Sequence, residues 1–141
     1  CLWINQKDGT FKDQAVSRGV AYSATGQAFA GMGIAVGDVA GTGMLDIFVT
    51  HLGSETHTLW RQQGKGRFSD DTASSGLLAS TWRSTGFGTV LADFNLNGSL
   101  DLSVVNGRVI TVSVNARDKV QVLNTLAHAG IHVDDFEVER A

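Results

Sequence analysis

The feature that most constrains the fold of this chain is an internal repeat. The segment LWINQKDGTFKD at residues 2–13 returns as LWRQQGKGRFSD at residues 59–70, an offset of 57 residues. A second pair of segments, 31–46 and 86–101, shares a Gly-x-Gly start and a loop that has Asp at both ends, at an offset of 55 residues. The two-residue difference falls in a connecting loop, where deletions are tolerated. A repeat of this length predicts a row of similar structural units.

The repeat length is close to that of a β-propeller blade, which is a four-stranded antiparallel sheet. The chain has 17 Gly and no Pro, so its turns depend on Gly, Asn and Asp. Alternating apolar residues between these turns predict one complete blade with strands at 34–38, 45–50, 57–61 and 67–70. Pairs of strands predict a half blade before it and another after it, at 2–6, 10–16, 89–94 and 100–105.

We therefore expect an all-β fold over residues 1–109, a partial β-propeller with one complete four-stranded blade plus two half blades. Residues 110–141 do not continue the repeat. They predict a strand, a helix capped by Asn115 and a further strand near 136–139, which together form a small C-terminal strand–helix–strand appendage. We expect this appendage to be a packing element or a junction with a further region.

One blade and two half blades cannot close a ring, because propellers close with four to eight blades. The chain also begins with Cys1 and not with Met. We expect first that the chain is a fragment of a longer protein, second that copies of it associate, and third that a partner protein covers the exposed strand edges.

The clearest chemical signal is residues 93–101, here named loop B. Side-chain oxygens stand at alternating positions on Asp93, Asn95 and Asn97, and Asp101 ends the loop. Ca²⁺ takes six to eight oxygen ligands from carboxylates, amides, backbone carbonyls and water. The four side chains, with the backbone carbonyl of Ser99, predict a Ca²⁺ site of modest affinity. The competing interpretation is a plain hairpin turn, which Asn-Gly favours by itself.

Residues 38–46, here named loop A, are the matching loop of the first repeat. Loop A has Ala40 at the position of Asn95, so one side-chain ligand is missing. The remaining predicted ligands are Asp38, Thr42, the backbone carbonyl of Met44, and Asp46. A loop of the same shape held by hydrogen bonds from the backbone to Asp is an equally good interpretation.

Four motifs together resemble the FG-GAP/VCBS repeats, the blade units of integrin-like propellers and of many secreted bacterial proteins. They are GFGT at 86–89, loop B, the strand LDLSVVNG at 100–107 and the duplicated Leu-Trp…Gly-x-Phe-x-Asp segment. The resemblance covers about residues 2–109. It implies a structural Ca²⁺ in each acidic loop and a role in adhesion, protein interaction or assembly outside the cytoplasm, so that the protein would be extracellular, periplasmic or on the cell surface.

Several other functions are disfavoured. The formal net charge of −3 gives no basic surface for nucleic acid, and no apolar run is long enough to span a membrane. The segment GMGIAVG at 31–37 leads into an acidic turn and not into a phosphate-binding helix, and no Gly-x-Ser-x-Gly elbow is present. We therefore expect that the protein is not an enzyme.

The alternative function is a carbohydrate-binding accessory domain of a secreted enzyme. It would depend on Trp60, Trp82 and Arg83 as a stacking platform for sugar rings. Trp60 also occupies the repeat position of Trp3, which favours a packing role for both. The pair His51 and His57 has no third ligand at a suitable spacing, so we expect surface strand residues and not a metal site.

Overall fold

The computed structural model describes residues 1–79, 84–105 and 110–113. Short strands and tight turns dominate this part of the chain. The strands are β1 (Trp3–Asn5), β2 (Phe11–Asp13), β3 (Ile34–Gly37), β4 (Asp46–Val49), β5 (Thr58–Gln62), β6 (Phe68–Asp70), β7 (Gly88–Ala92), β8 (Asp101–Val105) and β9 (Ile110–Ser113). One helical turn, α1 (Ala15–Arg18), follows β2, and a short 3₁₀ helix lies at Leu77–Ala79.

These strands form three antiparallel sheets. The first sheet pairs β1 with β2, the second has the order β3-β4-β5-β6, and the third has the order β7-β8-β9. Within each sheet, every strand pairs with the next one in sequence, as antiparallel neighbours joined by short connections do. The second sheet contains all four strands that the sequence predicts for one blade, which confirms their positions. The described sheets do not close into a ring.

The internal repeat is also a repeat of local geometry. The turn after β2 and the turn after β6 both begin with an Asp that accepts a hydrogen bond from the N–H two residues later, at 3.0 Å in each case. Both turns end at a Gly with a left-handed backbone, φ 82° at Gly19 and 83° at Gly76. The strand predicted over 10–16 is too long, because β2 ends at Asp13 and α1 takes up the following residues.

The second and third sheets pack side by side through β3 and β7. At this junction Gly33 lies against the carbonyl oxygen of Phe87, so closely that a side chain would not fit. The hydroxyl of Thr50, which is fully buried, accepts a hydrogen bond from Gly33 N–H and donates one to Gly86 O, both at 2.8 Å. The apolar core spans both sheets and comprises Ala35, Phe48, Leu59 and Val104.

The third sheet extends beyond the predicted half blade. Strand β9 lies after the boundary drawn at residue 109, yet it pairs with β8 in the register Leu102 to Ser113. The predicted helix and last strand of the appendage lie outside the described residues, so the division into two regions stays a prediction. The number of blades stays a prediction for the same reason. Among the residues that the structure describes, no helix is long and apolar enough to cross a membrane.

Candidate metal-binding loops

Loop B joins the end of β7 to the start of β8. Leu96 and Gly98 take left-handed backbone angles, φ 57° and 86°, which fold the loop back on itself. Gly accepts such angles without steric cost, whereas Leu does not. The shape of loop B therefore requires a strained backbone at Leu96, and this residue is 80% exposed.

The two carboxylates of loop B organise its backbone. Asp93 accepts hydrogen bonds from Asn97 N–H at 3.0 Å and from Gly98 N–H at 2.8 Å, one on each carboxylate oxygen. Asp101, which is buried, accepts a further bond from Phe94 N–H at 3.0 Å. The loop therefore wraps its N–H groups around the anionic side chains, a local arrangement that Asp favours in turns.

Asn95 is the inward-facing residue of loop B, since only 2% of it is exposed. Its side-chain oxygen accepts a hydrogen bond from Asn97 N–H at 3.1 Å, while its buried amide nitrogen has no hydrogen-bond partner. Buried amide groups are nearly always satisfied in folded proteins. Loop B therefore contains a buried amide, that of Asn95, whose nitrogen has no hydrogen-bond partner. In the sequence this residue lies between the two carboxylates Asp93 and Asp101.

The side-chain oxygens of loop B are of the types that Ca²⁺ takes as ligands. Asp93 Oδ1 and Asn95 Oδ1 both accept the same N–H, that of Asn97, so these two oxygens lie no more than about 6 Å apart. Two ligands of one Ca²⁺ lie within about 5 Å of each other, and each oxygen retains a second lone pair. Loop B contains no basic residue that would oppose a cation. Asn97, whose oxygen accepts Ser99 N–H, completes the set of side-chain amides.

Loop A repeats this backbone between β3 and β4. Asp38 accepts hydrogen bonds from Thr42 N–H at 2.9 Å and Gly43 N–H at 2.6 Å, at the same spacing as Asp93 in loop B. Asp46 accepts one from Val39 N–H at 3.1 Å, as Asp101 does from Phe94. The hydrogen bond from Thr42 N–H, with a second from Gly43, lowers the pKa of Asp38 from its ordinary value.

The two loops differ in their side chains. Loop A has the exposed Ala40 where loop B buries Asn95, and Thr42 where loop B has Asn97. Met44, at the position of Ser99, is partly buried. Across residues 1–79, 84–105 and 110–113, no three His, Cys, Asp or Glu side chains come together as a group that could hold a metal. Each loop contributes two carboxylates, and any remaining ligands would be amide, hydroxyl or carbonyl oxygens.

The segment that contains both loops matches a known protein family. A family model for the FG-GAP-like repeat matches residues 38–104, just under half of the chain. Residues 38–104 are similar to this repeat and are named here the FG-GAP-like segment. The resemblance drawn from the sequence motifs is thereby confirmed. FG-GAP repeats occur in β-propeller-like protein-interaction modules and are generally not catalytic. No curated protein matches the chain in a sequence comparison.

The FG-GAP-like segment begins at the first residue of loop A and ends in β8, so it contains both loops and the strands between them. Sequence reasoning missed a charged residue of this segment that contacts loop A. Arg61 of β5 directs its Nε towards Asp46 Oδ2 at 3.7 Å and its Nη2 towards Asp71 Oδ2 at 2.9 Å. The strand register is the signal that could have identified this contact. Ile47 pairs with Trp60, so Asp46 stands opposite Arg61 in the antiparallel pair.

The histidines of the FG-GAP-like segment were predicted on the surface, and for His51 this is wrong. His51 is buried, and its ring nitrogens contact Ala30 O and Thr58 Oγ1, both at 3.0 Å. His57 Nδ1 accepts a hydrogen bond from His51 N–H at 3.0 Å. These contacts join the loop after β4 to its neighbours, and burial lowers the pKa of His51 from its ordinary value.

The tryptophans at equivalent repeat positions have different surroundings. Trp60 is 6% exposed in the middle of the second sheet, as its predicted packing role requires, whereas Trp3 is 61% exposed in the two-stranded first sheet. Trp82 and Arg83, the residues named for a sugar-binding platform, lie outside the described residues.

Proposed function

We propose that loop B binds one Ca²⁺ ion and that the chain is part of a calcium-stabilised β-propeller module for protein interaction, adhesion or assembly. The ligands would be the side chains of Asp93, Asn95, Asn97 and Asp101 with the backbone carbonyl of Ser99. The observation that carries the proposal is the buried Asn95 amide, whose oxygen shares an N–H with Asp93 inside an FG-GAP-like segment.

The ion would have a structural role. It would neutralise the two carboxylates of loop B and hold β7 and β8 at a fixed spacing next to the core residue Val104. An ion bound only by the folded state stabilises that state. With two carboxylates and neutral amides as ligands, we expect a Kd of about 10⁻⁴ to 10⁻³ M, the range typical of extracellular modules.

A site of this expected affinity would be filled only where calcium is abundant, so the proposal includes a location outside the cytoplasm, in the extracellular space, in the periplasm or on the cell surface. At the cytosolic calcium level such a site would be empty. The location is therefore part of the same proposal and depends on the same measurement.

The exposed aromatic residues of the first sheet support the proposal that a partner protein or further blades cover this sheet. Trp3 and Phe11 are 61% and 60% exposed, and Trp60, at the repeat position of Trp3, is covered once β4 lies beside its strand. We propose that strands equivalent to β3 and β4, from a longer chain, a second copy or a partner protein, cover β1 in the working assembly. An uncovered β-strand edge with exposed aromatic residues is otherwise prone to unspecific pairing.

The direct test is calcium binding by isothermal titration calorimetry on the full chain, with the variant Asn95→Ala. We expect the wild-type chain to bind Ca²⁺ in the range above and Asn95→Ala to bind at least ten times more weakly, because a buried ligand is lost. The matched control is Asp8→Ala, which removes a carboxylate from the exposed turn between β1 and β2. It should bind like wild type.

The same proteins should be melted in Ca²⁺, in Mg²⁺ and in chelator. At a Ca²⁺ concentration 100 times Kd, the wild-type chain should gain about 2.7 kcal/mol over chelator, which corresponds to several degrees in Tm. Mg²⁺ should give less, since it requires a tighter octahedral shell. Equal melting in calcium and chelator, with no binding heat for the wild type, would refute the proposal.

The carbohydrate-binding alternative gains no support from the described residues. Trp60 is buried, and the other two residues of the predicted platform lie outside the described part of the chain.

A further inference from the structure

Loop A buries a carboxylate that needs a positive partner. Asp46 is completely buried, with a side-chain exposure of 0%. Its Oδ1 accepts Gln62 N–H at 2.9 Å and its Oδ2 accepts Val39 N–H at 3.1 Å. Two neutral hydrogen bonds offset only part of the cost of removing a charge from water, so such carboxylates are normally paired with a cation.

Arg61 provides that cation from the neighbouring strand. Its Nε lies 3.7 Å from Asp46 Oδ2, and this nitrogen is buried without a hydrogen bond to any other group. Its Nη2 lies 2.9 Å from Asp71 Oδ2, which anchors the far end of the guanidinium at the turn after β6. Arg61 is therefore held in place between two carboxylates, one buried and one partly exposed.

A calcium ion and this guanidinium would compete for the same carboxylate. An ion bound to Asp46 Oδ2 at the usual distance of 2.3–2.6 Å would lie within about 6 Å of Arg61 Nε. Two cations at that separation repel each other in a partly buried site. Loop A also lacks the third-position ligand, since Ala40 carries no oxygen. The ligands that remain are Asp38, Thr42 and backbone carbonyls, too few without Asp46 for a calcium shell.

We propose that loop A is a calcium-independent version of the acidic loop, in which the guanidinium of Arg61 takes the place of the metal ion as the counter-charge of Asp46. The family resemblance implies an ion in each acidic loop, and the side chains of loop A do not fit one. The proposal concerns loop A only. It holds whether or not loop B binds calcium.

The test adds a ligand and removes the guanidinium, separately and together, and counts Ca²⁺ ions per chain by calorimetry and native mass spectrometry. Ala40→Asn restores the missing ligand by copying Asn95. Alone, with Arg61 in place, it should leave the count unchanged. Combined with Arg61→Gln it should add one ion per chain, and combined with Arg61→Lys it should add none, because lysine retains the charge.

Each outcome is decisive for loop A. A second ion in Ala40→Asn alone, or loss of an ion in Asp38→Ala, would overturn the proposal, because loop A would then accept calcium beside Arg61. Failure of Ala40→Asn with Arg61→Gln to gain an ion, in a chain that still melts cooperatively, would also overturn it. The wild-type count reports on loop B, and the difference between variants reports on loop A, so the two proposals fail separately.

If the combined variant does not fold, the comparison of wild type with Ala40→Asn and Asp38→Ala still decides. We expect an identical count for all three proteins. Hydrogen exchange in loop A and β4 should also be the same in calcium and in chelator, whereas exchange in loop B and β8 should become faster in chelator if loop B binds calcium. Equal acceleration in both loops would contradict the proposal.

Discussion

Loop A and loop B have the same backbone and different side chains around it. In each loop the first Asp accepts the N–H groups four and five residues later, and the last Asp accepts the N–H of the loop's second residue. Loop A adds Arg61 from the next strand, whereas loop B adds the buried Asn95 and no basic residue of its own. The comparison shows that the shape of an acidic loop does not by itself establish a metal site.

The largest expected effect lies in loop A. Asp46→Asn removes the charge that pairs with Arg61 and leaves an amide N–H facing either Val39 N–H or Gln62 N–H. Because Arg61 keeps Asp71 as a partner, this change should cost about 3 kcal/mol, the lower end for a broken buried pair. Urea unfolding should show this loss of free energy of unfolding, and the loss should be equal in calcium and in chelator. A loss found only in calcium would mean that Asp46 binds an ion.

The next effect separates the loops by their calcium dependence. Asp93→Asn should remove about 2.7 kcal/mol of calcium-derived stability when the wild type is measured at 100 times its Kd, and it should cost less in chelator. Asp38→Asn, the matched change in loop A, should cost the same small amount of stability in both conditions, from weaker hydrogen bonds to Thr42 and Gly43. Melting curves of both variants with and without Ca²⁺ test this. Equal responses would remove the distinction between the loops.

A third prediction concerns the junction that holds the two loop-bearing sheets together. Thr50→Val should cost about 2 kcal/mol, because Gly33 N–H and Gly86 O lose their partner in a buried position. The corresponding repeat position in the third sheet is Val105, which has no hydroxyl and cannot form the same bridge. Thr10→Val, in an exposed turn, should change the free energy of unfolding by less than about 0.5 kcal/mol. A null effect of Thr50→Val would mean that the sheets pack without this bridge.

A fourth prediction tests whether the backbones of the loops are equivalent. Gly43 and Gly98 have φ 79° and 86°, and neither has an atom that would meet an added side chain. Gly43→Ala and Gly98→Ala should each cost about 1 kcal/mol through backbone strain alone. Chemical denaturation in chelator should give matching values. A difference larger than the measurement error would show that the two loops are not built alike.

The smallest effect expected is a pH dependence of the second sheet. Burial lowers the pKa of His51 below its unfolded value of 6.5, against the opposing effects of the hydrogen bond to Ala30 O and the charges of Glu55 and Asp70. The folded state therefore favours the neutral ring. This contribution to stability is present above pH 6.5 and is lost as the pH falls through the folded pKa.

The measurement is the midpoint of thermal unfolding between pH 7.5 and 5. The wild type should lose more stability than His51→Gln over this range, and the difference isolates His51 from the other histidines. A wild-type curve parallel to that of the variant would contradict the expectation.

The first sheet extends the comparison to the whole repeat. Trp3 and Trp60 stand at the same repeat position and differ tenfold in exposure. In the part of the chain that the structure describes, β5 has a neighbouring strand on each side, whereas β1 has only β2. Local sequence was enough to place both strands. Their burial depended on which other strands are present, which the local sequence does not encode.

The sequence by itself determined the strands and the shape of the acidic loops. Alternating apolar residues, Gly at the left-handed positions and Asp at the loop ends act over a few residues, and these local rules placed β3 to β8 within one or two residues of their observed ends. The FG-GAP-like character of residues 38–104 followed from the same short motifs.

Only the tertiary structure decided which side chains come together around each loop and which strands pair. Arg61 meets Asp46 because two strands pair in one register, Asn95 is buried because its loop turns inward, and β9 joins β8 across a boundary that the repeat suggested. These contacts join residues far apart in sequence. The position of Arg61 beside Asp46 therefore depends on strand pairing, whereas the shape of each loop depends on its own nine residues.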